Sequence, residues 1–217
     1  MTTQLATRGF FSELGWRHKL HIFLRLQSCP FHRLLPYLPP SGRVLDFGCG
    51  HGHFTAMMAS ESNVDILAVE HDEAKIKVAE RCLSSLGPRV QFRLGGDLPE
   101  GAGAFDAVTL IDVLYLFPLE RWKPFLVRCQ QTLNRGGVLL LKEMDHRPRW
   151  KFLKMRLQEV LAVKLFGWTK GENTCYPSRS EISAILEDAG FRFEREHLHS
   201  GYSSPHILYI CRVNDVD

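Results

Sequence analysis

The sequence predicts an α/β domain: a doubly wound, mostly parallel sheet with helices on both faces. Two observations carry this. Short apolar runs closing on an acid recur along the chain, with the acids at Asp46, Glu70, Asp97 and Asp112. Between them lie stretches with helical spacing, such as Ile76, Ala79, Cys82, Leu83 and Leu86, with Glu73, Lys75, Lys77, Glu80 and Arg81 mostly on the other side. Strand–helix alternation builds a parallel sheet through right-handed crossovers, which gathers those acids at the carboxyl ends of the strands.

The most informative stretch is residues 44–55, Val-Leu-Asp-Phe-Gly-Cys-Gly-His-Gly-His-Phe-Thr. A strand ending in Asp46 runs into three alternating glycines, Gly48, Gly50 and Gly52, and then into a helix-compatible stretch. A second apolar run (Val64, Ile66, Leu67, Val69) ends in Glu70. Strand, glycine loop, helix, strand and acid form the frame that binds an adenosine-containing cofactor at the first turn of a parallel sheet. In that frame Glu70 accepts hydrogen bonds from ribose hydroxyls. A third strand is expected over 90–97 and a fourth over Phe105–Ile111. Phe125, Leu126, Cys129 and Leu133 form the apolar face of a helix that holds Pro124 in its first turn.

The glycine spacing separates the cofactor classes. A dinucleotide site uses G-x-G-x-x-G, but His53 stands where its third glycine belongs. The G-x-G-x-G form, with Asp46 before it and Glu70 after it, resembles the motif of class I S-adenosylmethionine-dependent methyltransferases. The resemblance covers about residues 40–213. It implies a seven-stranded, Rossmann-like sheet with an antiparallel final strand: Leu133–Leu141 leads into strand five, a helix over Glu181–Ala189 stops at Gly190, and strands near 191–199 and 206–212 close the fold. It also implies S-adenosylmethionine as cofactor, with Asp46, Gly48, Cys49 and Gly50 at its methionine end. Glu70 would lie at the ribose and Asp97 and Leu98 at the adenine, with His71 and Asp112 also among the cofactor-binding residues. The activity implied is methyl transfer to a small-molecule acceptor, releasing S-adenosylhomocysteine.

Composition agrees with an ordinary globular domain of 217 residues, 45% apolar and 24% charged. A net charge of +3 is too small to imply nucleic acid. The apolar runs are shorter than a membrane span, and six scattered cysteines without a C-x-x-C pair fit reduced thiols and a cytoplasmic protein. His51 and His53 flank Gly52, but no Cys or acid completes a ligand pattern, so no metal is expected.

Two regions outside the core are expected to shape acceptor choice. Residues 1–40 form an N-terminal cap on a core of 41–217, and a helical insertion occupies about 146–175. Both interleave bases with apolar residues, which suits an amphipathic, lipid-like or acyl-carrier-bound acceptor equally with plain packing helices. Candidate catalytic groups are Asp112, Tyr115 and His146, with Glu143, Asp145, His199, Tyr202 and His206 also near the expected mouth. No proline pair follows Asp112, and Cys29 precedes Pro30 rather than following it. Those features set aside enzymes that methylate planar amino groups and cytosine carbon-5. A cofactor-binding scaffold without turnover and a nicotinamide-dependent oxidoreductase are the alternative readings.

Overall fold

The computed structural model describes residues 9–12, 14–100, 104–154, 157 and 174–213, leaving out the side chains of 17, 18 and 21. Its strands are β1 (Ser41–Phe47), β2 (Asn63–Glu70), β3 (Val90–Leu94), β4 (Phe105–Ile111), β5 (Leu133–Met144), β6 (Phe191–His197) and β7 (His206–Val213). They form one sheet in the order β3-β2-β1-β4-β5-β7-β6. The pairs are parallel from β3 through β5, while β7 runs antiparallel to both β5 and β6. The chain therefore winds outward from β1 in one direction and restarts at β4 on β1's other side. Loops leaving β1 and β4 part at that switch point and open a crevice at their carboxyl ends.

Among the described residues the sheet is covered by α1 (Trp16–Ser28), α2 (His53–Glu61), α3 (Glu73–Leu83), α4 (Trp122–Thr132) and α5 (Arg179–Asp188). Strand residues alternate between the faces. Val44, Ala107, Leu140 and Leu208 join one core with Ile22 and Leu26 of α1 and Met57 and Met58 of α2. Leu45, Val108, Leu139 and Tyr209 join the other with Trp122 and Leu126 of α4 and Leu186 of α5. The N-terminal stretch is thus built into one core, with Leu34 and Cys29 fully buried, as well as lying over the crevice.

Local chemistry sets the helix limits. Asp72 caps α3 by accepting from the N–H groups of Ala74 and Lys75, and Ser178 with Glu181 forms a capping box on α5. The helix predicted to reach Leu86 stops at Leu83, because Gly87 turns to φ 64° inside a tightened segment before β3. The third strand also ends early, at Leu94 rather than at residue 97. Of the expected insertion, residues 155, 156 and 158–173 lie outside the described residues, as do residues 1–8 of the expected cap.

Gly52, the residue before α2, takes φ 79°, and a Cβ there would sit 2.8 Å from Leu83 Cδ1 and 3.2 Å from Ala79 Cβ. Both the backbone and the packing require glycine. Gly52→Ala is expected to destabilise the fold by about 1–3 kcal/mol, read from denaturant unfolding. A wild-type midpoint would contradict this packing of α2 on α3.

Candidate active site

The crevice is a cavity of about 620 Å³ lined by the glycine loop, Glu70 and His71, Gly95 and Gly96, and residues 111–117. That volume lies within the ~300–1,000 Å³ typical of small-molecule sites. Each loop is tied to the end of a neighbouring strand. Gly48 N and Cys49 N donate to the Val69 carbonyl, Gly95 N to the Glu70 carbonyl, and Asp112 N to the Lys142 carbonyl. The cavity rim is therefore an extension of the sheet.

Glu70 is buried at the end of β2 and organises this rim. Its Oε2 accepts from Gly50 N at 2.9 Å. Its Oε1 accepts from His71 N and Asp72 N, each at 2.9 Å, with His71 Nδ1 at 2.8 Å. A carboxylate oxygen has two acceptor positions, so Oε2 keeps one for a ligand hydroxyl. Gly48, at φ 77°, brings the loop close to the floor: a Cβ there would meet Val113 Cγ2 at 2.5 Å.

Asp46 lies at the junction of β1, α2 and β4. Its carboxylate accepts from Thr55 Oγ1 at 2.6 Å and Thr109 Oγ1 at 2.8 Å. Burial pushes its carboxyl up to about 6, against the two hydroxyls that favour the charged form. Asp46 therefore reaches neutral pH ionised at a cost to the fold, with a cation in the cavity as its natural compensation.

Asp112 closes the floor after β4 in a left-handed conformation, φ 55°, that few residues other than glycine adopt. Two cations hold it there: the fully buried Lys142 of β5, and Arg25 of α1 at 2.7 Å. Burial pushes its carboxyl up, but Lys142 and Arg25 outweigh that and hold it well below the usual carboxylate range. A carboxylate so strongly committed to its charge is a poor proton acceptor at neutral pH. Next to it, burial and the Asp112 charge push Glu143 up to about 8, and its Oε1 accepts from Leu114 N at 2.9 Å. Burial, with Lys142 adding to it, pulls His206 down to about 3, so it stays neutral while Nε2 donates to the Ser28 carbonyl.

The structure brings Asp46, Gly48, Cys49, Gly50, Glu70, His71, Asp112 and Tyr115 to the cavity wall. The segment around Asp97 is arranged differently from the expectation. With β3 ending at Leu94, Gly95 and Gly96 line the cavity, Asp97 pairs with Arg128 at 3.2 Å in solvent, and Leu98 is buried in the core. His146 is not among the lining residues; its Nε2 lies 3.0 Å from the Tyr176 carbonyl and its ring packs on Phe152. Asp145 is likewise committed, to Arg179. His51 and His53 stand 5.9 Å apart between ring centroids, and no metal-holding cluster occurs among the described residues. Sequence reasoning missed Arg25, Lys142, Thr55, Thr109 and the Gly95–Gly96 pair. The two glycines after a strand were a usable signal; Arg25 was one base among many in its segment.

A profile of the methyltransferase-domain family matches residues 18–196. An uncharacterized methyltransferase of Synechocystis is 26% identical over 180 residues, covering 82% of this chain and 79% of its own length. A ubiquinone biosynthesis O-methyltransferase of Xanthomonas axonopodis is 30% identical over 177 residues, 76% of this chain and 72% of its own. Among solved structures, geranyl diphosphate C-methyltransferase of Streptomyces coelicolor, in complex with Mg2+, geranyl diphosphate and S-adenosylhomocysteine, superposes with a TM-score of 0.64. It covers 84% of this chain and 76% of its own at 15% identity. The chain belongs to the methyltransferase-domain family, in the class I fold. Its cofactor is S-adenosylmethionine.

The residues present fit that cofactor. A buried acid with a spare acceptor position, two carboxylates on the cavity wall and a loop lacking Cβ atoms suit a ribose diol and a cationic sulfonium and amine. When bound, the cofactor supplies an electrophilic methyl on sulfur. What the chain supplies is a fixed pocket that aligns acceptor and methyl and excludes water.

Two outcomes follow. Glu70→Ala removes a buried carboxylate from the cavity wall, the ribose acceptor expected from the sequence, and releases the Gly50 N–H. Its affinity for S-adenosylhomocysteine should fall by about 1.5–3 kcal/mol for each charge-assisted bond lost, measured by calorimetry. Unchanged affinity would remove Glu70 from the site. Asp46 is raised in the folded state, so its contribution to stability is fully present below pH ~4 and is lost as pH rises towards ~6. Asp46→Asn should therefore stabilise the ligand-free protein above pH ~6, by up to about 3 kcal/mol, with the gain vanishing below pH ~4. Thermal melts across that window check the sign.

Proposed function

We propose that the chain methylates an amphipathic small molecule with a flat or chain-like apolar body and an anionic or hydrogen-bond-accepting group. The observation that carries this is the contrast within the cavity wall. Part of the lining is glycine and acid. Another part is apolar and aromatic, Phe31, Phe54, Tyr115, Leu116 and Phe117, with Arg25 over the Phe31 ring. The aromatic part matches the apolar body, and the guanidinium is the group for the acceptor's polar end. Relatives whose names refer to ubiquinone, sphingolipid and geranyl diphosphate support an apolar acceptor of this kind.

In this reading Asp46, Gly48, Cys49 and Gly50 hold the methionine end, Glu70 and His71 the ribose, and Gly95 and Gly96 border the adenine with their backbone. Asp112 positions Arg25 and the loop carrying Tyr115. Tyr115 orients the acceptor's nucleophile, its ring steadied by the stacked ring of Tyr176 at 5.4 Å. His146 supports that stack from behind through the Tyr176 carbonyl. Residues up to 40 act as a cap whose α1 places Arg25 in the cavity. An acyl group delivered by a carrier would enter by the same mouth.

The test is an acceptor series of hydroxylated aromatic acids with lengthening alkyl chains, read by release of S-adenosylhomocysteine. KM should fall with chain length, and Tyr115→Phe should lower kcat about tenfold or more without loss of cofactor affinity. Turnover confined to short polar acceptors would refute the proposal.

A further inference from the structure

Among the described residues the exposed large apolar side chains, Leu94 apart, fall in two short stretches. They include Trp16, Leu20 and Leu24 on α1, and Trp150, Leu153 and Leu157 after β5. On α1 they lie one helical turn apart, and Arg25, which reaches into the cavity, is on the opposite side from Trp16 and Leu20. Trp150, Leu153 and Leu157 repeat the spacing of one helical face. Single exposed apolar residues need no explanation, but two aligned stripes carrying two tryptophans do.

The two segments are linked through the turn between β6 and β7. Lys151 Nζ donates to the carbonyls of His199 at 2.8 Å and Tyr202 at 2.6 Å, and Tyr202 Oη meets His32 Nδ1, in the stretch that follows α1, at 3.3 Å. Their charge is one-signed. Residues 16–38 contain Arg17, Lys19, Arg25 and Arg33, residues 146–157 contain Arg147, Arg149, Lys151, Lys154 and Arg156, and neither stretch contains an Asp or Glu. With a whole-chain charge of only +3, the remainder is net acidic, so the protein is polarised towards this face.

We propose that this face docks on an anionic lipid surface, with Trp16, Leu20, Leu24, Trp150, Leu153 and Leu157 entering the headgroup region and the surrounding Lys and Arg paired with lipid phosphates. Arg25 and Arg33 are paired with Asp112 and Glu196, but tryptophan and leucine beside bases such as Lys19, Arg149 and Lys154 is the composition of helices that lie in a membrane interface. No helix among the described residues is long and apolar enough to cross a membrane, so the contact is peripheral. The proposal goes beyond the acceptor reading above and does not rest on it.

The test is co-sedimentation of the full chain with vesicles of phosphatidylcholine alone or with one-third phosphatidylglycerol, with S-adenosylhomocysteine binding measured in parallel. Wild-type protein should bind the anionic vesicles at least tenfold more tightly than the neutral ones, and lose most of that binding in high salt. The double variant Leu20→Glu/Trp150→Glu changes exposed side chains, so it should fold and bind S-adenosylhomocysteine normally while losing vesicle binding more than tenfold. Arg149→Glu/Lys154→Glu should act in the same direction. Failure of wild-type protein to bind anionic vesicles, or binding indifferent to these substitutions, would overturn the proposal whatever the cofactor result. A dimer in solution that these variants dissociate, without vesicle binding, would assign the face to a second copy and overturn it equally. Loss of cofactor binding in wild-type protein would instead count against the methyltransferase reading and leave the vesicle result to stand by itself.

Discussion

The arrangement of the site depends on one buried carboxylate. Glu70 ends β2, and its two oxygens collect the N–H groups of Gly50, His71 and Asp72. Those bonds fix the glycine loop of one strand against the exit of the next, which gives the crevice at the β1/β4 switch point a defined wall. A buried acid is tolerated because charge-assisted bonds satisfy it, and one acceptor position of its Oε2 is left over at the cavity wall.

Asp112 is a second buried carboxylate on the cavity wall. It takes a strained left-handed backbone conformation and is held between Lys142 from the sheet and Arg25 from α1. Removing one partner of such a buried pair leaves an uncompensated charge, so the group behaves as a unit. Through it the N-terminal helix is fastened to the cavity floor. Asp46 and Glu143, each raised by burial, add groups whose ionisation the fold opposes.

Much of this was legible in the sequence because it is local. The runs ending at Asp46 and Glu70, the alternating glycines, the Phe105–Ile111 strand and Pro124 in its helix's first turn all follow from spacing within a few residues. The parts that were not legible depend on distance in the chain. Arg25 and Lys142 meet only at Asp112, and no pattern in either segment marks that pairing. The acid at residue 97 looked equivalent to its counterparts, yet β3 stops three residues earlier, so the glycines face the cavity and Asp97 turns to Arg128 in solvent. The bases of α1 were visible as a group, but only the fold separates Arg25, which turns inward, from the apolar stripe that turns out.

The account stands on the identity of the ligand that the glycine loop and Glu70 accept. Calorimetric titration of the purified protein with S-adenosylhomocysteine, with NAD in parallel, tests this most directly. Micromolar binding of S-adenosylhomocysteine alone is the predicted result. Preference for NAD, or no binding of S-adenosylhomocysteine by folded protein, would contradict the assignment of the cavity.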